Sequence, residues 1–190
     1  MVFALIGLYV GVLPVTLGLL WFPVISKLGR KGLDFVIALT IGLLVFLIIE
    51  TTQEGLETAS IVPASLQGIA LFSCVTITSF LSLETIGSFL SKKRQLVREL
   101  HNKQGWVLAV LISIGIGLHN FGEGLAIGAA FALGEASLGT ALIIGFTLHN
   151  TTEGIAIVSP LAKNSVRVRD LAQLGIIGGA PTIAGAWLGG

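Results

Sequence analysis

The chain has 190 residues, of which 54% are hydrophobic and only 11% are charged. A soluble domain of this length carries about a quarter charged residues, so this composition excludes a soluble globular protein and indicates an integral membrane protein. The net charge of +1 argues against a nucleic acid as a partner. The single cysteine, Cys74, cannot form an intrachain disulfide, and we expect it to be a small buried residue rather than a ligand.

Six apolar stretches are long enough to cross a bilayer, and we treat residues 1–190 as a single transmembrane domain. The length of each stretch and the absence of period-2 alternation favour α-helices over a β-barrel. The predicted fold class is therefore all-α, a polytopic transmembrane helical bundle. In chain order, spans 1 to 6 are about residues 2–25, 35–52, 61–90, 106–133, 138–161 and 171–190.

Span 1 has neither a basic leader nor a small-residue cleavage site, so we expect a retained span rather than a signal peptide. Pro14 is expected to kink it, because proline removes a backbone donor from the helix. Span 6 reaches Gly190 while still apolar, which favours a chain truncated at its C-terminus.

The basic residues define a topology. All eleven Lys and Arg lie in the loops between spans 1 and 2, 3 and 4, and 5 and 6. Short basic loops stay in the cytoplasm, so we expect the N-terminus outside. The acidic cluster Glu50, Glu54 and Glu57 then faces out; it is either a solvated helix end, which we favour, or a vestibule for cations, with Glu50 the most inward. His101 is expected in a solvated cytoplasmic loop.

The pattern His-Asn-x-x-Glu-Gly occurs twice, at residues 119–124 in span 4 and at residues 149–154 in span 5. Residues four apart on a helix point nearly the same way, so each His, Asn and Glu share one face. A short turn joins these spans, which should make them antiparallel neighbours. Imidazole and carboxylate suit a divalent cation such as Zn²⁺, Fe²⁺ or Mn²⁺. The candidate metal ligands are His119, Asn120, Glu123, His149, Asn150 and Glu153.

The helix around these motifs is expected to open. Gly122 and Gly124 flank Glu123, and each glycine costs about 1 kcal/mol of helix stability relative to alanine, so backbone carbonyls could become further ligands. Thr151 and Thr152 are expected to bond back to carbonyls one turn earlier and to bend span 5.

Two other interpretations stay open. An intramembrane metalloenzyme is disfavoured, because zinc proteases use His-Glu-x-x-His and di-iron bundles use Glu-x-x-His, whereas the order here is His-x-x-x-Glu. A metal-free polar network is also disfavoured, since a hydrogen bond between membrane helices contributes only about 0.6 kcal/mol. We therefore expect a protein that is not an enzyme.

At the two motifs the sequence resembles the ZIP (Zrt-, Irt-like) family of divalent metal transporters. The resemblance implies six visible spans of an eight-span fold, in which the first and last three helices are related by a pseudo-two-fold. It also implies that Asn120 and Asn150 face a second metal position beside the primary site. That primary site consists of His119, Glu123, His149 and Glu153.

Three features depart from the family pattern. Gly122 and Thr152 replace its prolines, Asn150 stands where a carboxylate is usual, and span 6 has no glutamate.

The expected function is transport of a divalent transition metal toward the cytoplasm by alternating access. Zinc, iron, manganese or cadmium would be the transported ion, and no separate cofactor is expected. The expected partners are the lipid bilayer and the metal ions, with a homodimer left open. The expected location is the cell (plasma) membrane. Acidification should weaken metal binding, because the ligands bind metal only when deprotonated.

Overall fold

The computed structural model describes residues 1–95 and 103–190, which form six helices that are long and apolar enough to cross a membrane and, within those ranges, no strand. The predicted all-α bundle is thereby confirmed. The loop that contains His101 lies outside the described residues. The helices are α1 (Val2–Ile25), α2 (Arg30–Ile61), α3 (Gly68–Gln95), α4 (Lys103–Ala132), α5 (Ala136–Val158, continued by a 3₁₀ turn Ser159–Leu161) and α6 (Val168–Gly189).

Helix α2 continues well past its apolar stretch, which ends near residue 52, and stops only at Ile61. The polar segment between these points contains no proline, so the helix continues. The next residue, Val62, is extended because Pro63 disfavours the helical conformation of the residue before it. Gln67 then takes a positive φ of 46° and reverses the chain into α3.

Helices α1, α4, α5 and α6 pack closely against one another, whereas α2 and α3 contact each other and have fewer contacts with the other helices. No residue in the apolar window of α3 is buried, so this helix faces lipid. The expectation that Cys74 is buried is wrong, because Cys74 is exposed on α3. An apolar run in a membrane helix can face lipid as readily as protein.

Proline interrupts α1 and α6 in the middle of each helix. A π-helical turn, Leu8–Val12, precedes Pro14 in α1. In α6, the first segment ends at Gly179 and the second begins at Pro181. Because proline has no backbone N–H, the carbonyl four residues earlier loses its usual donor. Pro14 and Pro181 therefore leave the backbone carbonyls of Val10 and Ile177 without their usual helical donors.

Glycine makes two helix crossings possible. Gly18 of α1 lies against Gly154 of α5, and Gly185 of α6 lies against Gly124 of α4. A Cβ on any of these four residues would overlap backbone atoms of the facing helix. The final glycine of each His-Asn-x-x-Glu-Gly motif is therefore a packing residue.

The two crossings are related to each other. In each of them the partner glycine lies four residues after the helix-breaking proline, Pro14 or Pro181. The glycine contact between α1 and α5 is thus matched by the one between α6 and α4.

The apolar core lies toward one end of the bundle, near the basic loops that join α1 to α2 and α5 to α6. We call this the basic end. The core comes from five helices, and these side chains are excluded from solvent: Val15, Leu19, Ile25, Leu33, Ala109, Ile116, Ile157, Val158, Leu161, Ala162 and Leu174.

Candidate metal centre

Two imidazole rings face each other across the α4–α5 interface. The ring centroids of His119 and His149 are 5.7 Å apart, with 47° between the ring planes. Both side chains are largely buried, with 16% and 17% of their surface exposed. Phe46 of α2 lies on the outer side of this pair, 6.2 Å from the His149 ring. The two motifs, thirty residues apart in sequence, therefore meet.

Each histidine lies beside the glutamate one turn further along its own helix. Nε2 of His119 is 3.5 Å from Oε1 of Glu123, and Nε2 of His149 is 3.4 Å from Oε1 of Glu153. Both distances are long for a hydrogen bond. Glu123 is 5% exposed and Glu153 is completely buried. The four side chains form what we call the histidine–glutamate site.

The two asparagines attach this site to the interrupted helices. Nδ2 of Asn150 donates to the Val10 carbonyl at 3.0 Å and to Oε2 of Glu123 at 2.9 Å. Val10 is the residue whose carbonyl Pro14 leaves without a donor. Nδ2 of Asn120 donates to the carbonyl of Gly178 in α6 at 3.0 Å, and Gly178 lies three residues before Pro181.

Many polar atoms at this centre have no hydrogen-bond partner among the described residues. A buried polar group without a partner costs about 1–3 kcal/mol, and more when it is charged, so such groups need an explanation. Nitrogen and oxygen atoms of these types are the usual ligands of divalent transition metals. They are Nε2 of His119 and His149, Oδ1 of Asn120 and Asn150, Oε1 of Glu123, Oε2 of Glu50, both carboxylate oxygens of Glu153, and Oγ1 of Thr182.

A cavity of about 720 Å³ leads to the histidine pair from the end of the bundle opposite the basic end. It lies between α2, α3, α4 and α5 and extends to Val62 and Gly68, where α2 and α3 are joined. His119, His149 and Glu123 line it. Glu153 and both asparagines lie behind this wall.

Toward the basic end, apolar side chains close the centre. Val15, Ile116 and Ile157 are almost completely buried and converge on Gly178. A Cβ at Gly178 would lie 3.1 Å from Cδ1 of Ile157 and 3.7 Å from the other two side chains. Ile157 lies one turn beyond Glu153 on α5. The centre is therefore accessible from the cavity and separated from the basic end by this cluster.

Glu50 lies beside the two histidines, although the sequence favoured a solvated helix end for it. It is half-buried on the cavity wall, and one of its carboxylate oxygens groups with a ring nitrogen of His119 and of His149 within 4.8 Å. The sequence feature that could have indicated a role for Glu50 is its position directly after the apolar run of span 2, because a charge near membrane depth is unusual. The face that Glu50 occupies could not be read from sequence, because α2 is apolar on every side.

The expected opening of the helix around Glu123 does not occur, since α4 is continuous from Lys103 to Ala132. Gly124 instead permits the crossing with α6, and Gly122 faces open space, where a Cβ would meet nothing within 4 Å. The expected hydroxyl bonds in α5 are confirmed: Thr151 donates to the Thr147 carbonyl at 3.0 Å and Thr152 to the His149 carbonyl at 2.6 Å.

The fold and the centre define an all-α integral membrane protein with buried Glu and Asn side chains and partly buried His side chains from two antiparallel helices. Comparison with protein-family models, with curated proteins and with solved structures gives no significant match. The resemblance to ZIP transporters therefore stays a prediction that depends on the two motifs.

Proposed function

We propose that this protein is a membrane transporter for divalent transition-metal ions and that the ion binds at the histidine–glutamate site. Zinc is the first candidate, with iron, manganese and cadmium as the other ions that this donor set accepts. The ion is the transported substrate. It binds transiently to His119, Glu123, His149 and Glu153.

One observation carries the proposal: the Glu153 carboxylate is completely buried in a membrane helix, and neither of its oxygens has a hydrogen-bond donor among the described residues. Burying a carboxylate whose nearest partner is one histidine nitrogen, Nε2 of His149 at 3.4 Å, is among the most expensive arrangements in a protein. A bound divalent cation removes that cost and at the same time uses the neighbouring Nε2 of His149.

The position of the cavity supports a direction of transport. By the rule that basic loops stay in the cytoplasm, the basic end faces inward and the N-terminus lies outside. The cavity then faces outward, in the plasma membrane, and the cluster around Ile157 faces the cytoplasm. Uptake would proceed through the cavity to the site, followed by a rearrangement that opens the apolar cluster.

The chemistry of the donors restricts the substrate class. Neutral imidazole with carboxylate oxygen suits Zn²⁺, Fe²⁺, Mn²⁺ and Cd²⁺, whereas Mg²⁺ and Ca²⁺ prefer sites made only of oxygen. No thiolate contributes, because the single cysteine, Cys74, lies on the lipid-facing surface of α3. This composition disfavours Cu⁺, which soft sulfur ligands select.

The competing interpretation is a polar network that holds helices together without metal. The two bonds of Asn150 and the bond of Asn120 to Gly178 are of this kind. The same interpretation leaves the two histidine–glutamate contacts at 3.4–3.5 Å, longer than good hydrogen bonds, and leaves Oε2 of Glu153 without a donor among the described residues, whereas a structural network is expected to satisfy its members.

The direct experiment is metal flux into proteoliposomes that contain the purified protein, with Zn²⁺, Fe²⁺ and Mn²⁺ in turn. We expect saturable flux in the wild type and its loss in His119→Ala and in Glu153→Gln. Glu135→Gln is the matched control, since Glu135 is an exposed carboxylate at the turn between α4 and α5 and should leave flux unchanged.

Equilibrium binding of the same ions to the detergent-solubilised protein distinguishes a failure of transport from a failure of metal binding. Binding without flux would leave the metal site in place and remove only transport. Wild-type protein that binds none of the three ions would leave the metal-free network as the correct interpretation.

A further inference from the structure

We propose that Glu50 of α2 is a metal ligand and that, with His119 and His149, it forms a separate capture position at the inner wall of the cavity. The inference rests on the proposed function, since it names the place where the transported ion first binds. It assigns a role to a helix outside the two motifs.

The geometry of these three residues suits one ion. One carboxylate oxygen of Glu50 and one ring nitrogen from each histidine lie within 4.8 Å of one another. Two ligands bonded to a tetrahedral zinc ion at about 2.1 Å are about 3.4 Å apart. The separations therefore have to shrink by at most about 1.4 Å, a shift within the range of side-chain rotation for partly buried side chains.

A second observation points to a ligand at this position. Oε2 of Glu50 and Nε2 of both histidines are buried atoms without a hydrogen-bond partner among the described residues. A carboxylate at membrane depth is expected to pair with a cation, a donor or a metal. The Lys and Arg residues of the loops that join α1 to α2 and α5 to α6 lie at the basic end, away from Glu50.

The position differs in chemistry from the buried groups behind it. Two imidazoles and one carboxylate give a set of two nitrogens and one oxygen, which binds borderline ions and leaves coordination sites for water. Glu123, Glu153 and the asparagine oxygens form an oxygen-rich set. An ion captured from the cavity at Glu50 can thus exchange ligands with Glu123, which lies 3.5 Å from His119.

A bound ion would also connect two parts of the bundle. Helix α2 has few contacts with α4 and α5, while α4 and α5 belong to the closely packed group of four helices. An ion held by Glu50 and the two histidines connects α2 to that group. Release of Glu50 is then a necessary step before the ion moves further into the protein.

The first test measures equilibrium binding of Co²⁺ and Zn²⁺ to purified protein. Glu50→Gln keeps the shape of the side chain, and we expect it to weaken binding by about tenfold or more, because loss of even an outer-shell partner of a metal site costs 10–100-fold. Glu57→Gln is the matched control: it removes the same charge from an exposed position on the same helix. Equal losses in the two variants would mean a diffuse charge effect and would overturn the proposal.

The second test observes coordination directly. Glu50→Cys places a thiolate at the proposed ligand position, and Co²⁺ should then show a thiolate-to-cobalt charge-transfer band in the near ultraviolet. A residue with a merely structural role would not produce this band. Glu57→Cys and the wild type, which already contains Cys74, are the controls and should lack it.

The outcomes separate this inference from the proposed function. Wild-type protein that binds no Co²⁺ or Zn²⁺ would refute both. Binding that is lost in His119→Ala but unchanged in Glu50→Gln, with no charge-transfer band in Glu50→Cys, would refute the role of Glu50 alone.

Discussion

The side-chain amide of Asn150 donates to Oε2 of Glu123 at 2.9 Å, although the two residues lie on different helices and belong to different copies of the motif. The same Nδ2 donates to the carbonyl of Val10, which Pro14 leaves without its helical donor. Asn150 thus links the carboxylate of one motif to the interrupted helix α1. Its counterpart Asn120 makes one such bond, to Gly178.

Because Asn150 makes two hydrogen bonds and Asn120 one, replacing each by alanine should lower the free energy of unfolding by different amounts. Asn150→Ala removes two buried hydrogen bonds and Asn120→Ala removes one. We expect Asn150→Ala to lower the free energy of unfolding by about 1–3 kcal/mol more than Asn120→Ala, the cost of one additional unsatisfied buried group. Unfolding in mixed micelles with increasing denaturing detergent measures the difference. Equal losses would show that the bond between Asn150 and Glu123 adds no stability.

The sequence alone permitted prediction of much of the fold. Six apolar stretches predicted the six helices, and the motif repeat predicted that His119 and His149 would meet, as their 5.7 Å ring separation now shows. These inferences depend on length and helical spacing, which are local properties. The histidine–glutamate distances follow from the same four-residue spacing.

Contacts between helices distant in sequence could not be predicted. Glu50 reaches the histidine pair because α2 packs beside α5, and no periodicity in an evenly apolar helix indicates which face it presents. The amide nitrogens of the two motif asparagines bond to backbone carbonyls of α6 and α1, and the motif spacing gives no indication of these partners. That arrangement depends on where α1 and α6 cross the other two helices.

The two glycines of the first motif predict opposite results on substitution. A Cβ at Gly124 would overlap backbone atoms of α6, whereas a Cβ at Gly122 would meet nothing within 4 Å. Gly124→Ala should therefore destabilise the protein by about 1–3 kcal/mol through overpacking. Gly122→Ala should be neutral or stabilise it by up to about 1 kcal/mol through helix propensity.

Thermal unfolding of the two alanine variants in one detergent provides the comparison. The substitutions are chemically identical and lie two residues apart, so membrane depth and propensity are matched. A loss of stability in Gly122→Ala as large as that in Gly124→Ala would contradict the assigned crossing of α4 and α6.

The apolar cluster that closes the basic end predicts another contrast within one helix. Ile157 is completely buried, and Ile144 on the same helix is 60% exposed. Ile157→Ala should cost about 2–5 kcal/mol, since it leaves a cavity between α1, α4 and α5. Ile144→Ala should cost little, because lipid fills the space left by a lost side chain. Denaturing-detergent titration of both variants measures the two costs, and similar values would mean that Ile157 is not tightly packed.

Metal affinity should fall as the pH is lowered. An imidazole binds metal only in its neutral form, and its ordinary pKa is about 6.5, so protons compete with the ion below that pH. With both His119 and His149 as ligands, binding on the acid side of this range releases about two protons from imidazole for each ion. His119→Ala should release about one.

Isothermal titration with Co²⁺ between about pH 5 and pH 8, repeated in buffers of different ionisation enthalpy, counts the released protons. His101→Ala is the control, because His101 is the third histidine of the chain and is not among the proposed ligands. It should bind as the wild type does at every pH. An affinity that does not change across this range would exclude both motif histidines as ligands, and with them the histidine–glutamate site as the place where the ion binds.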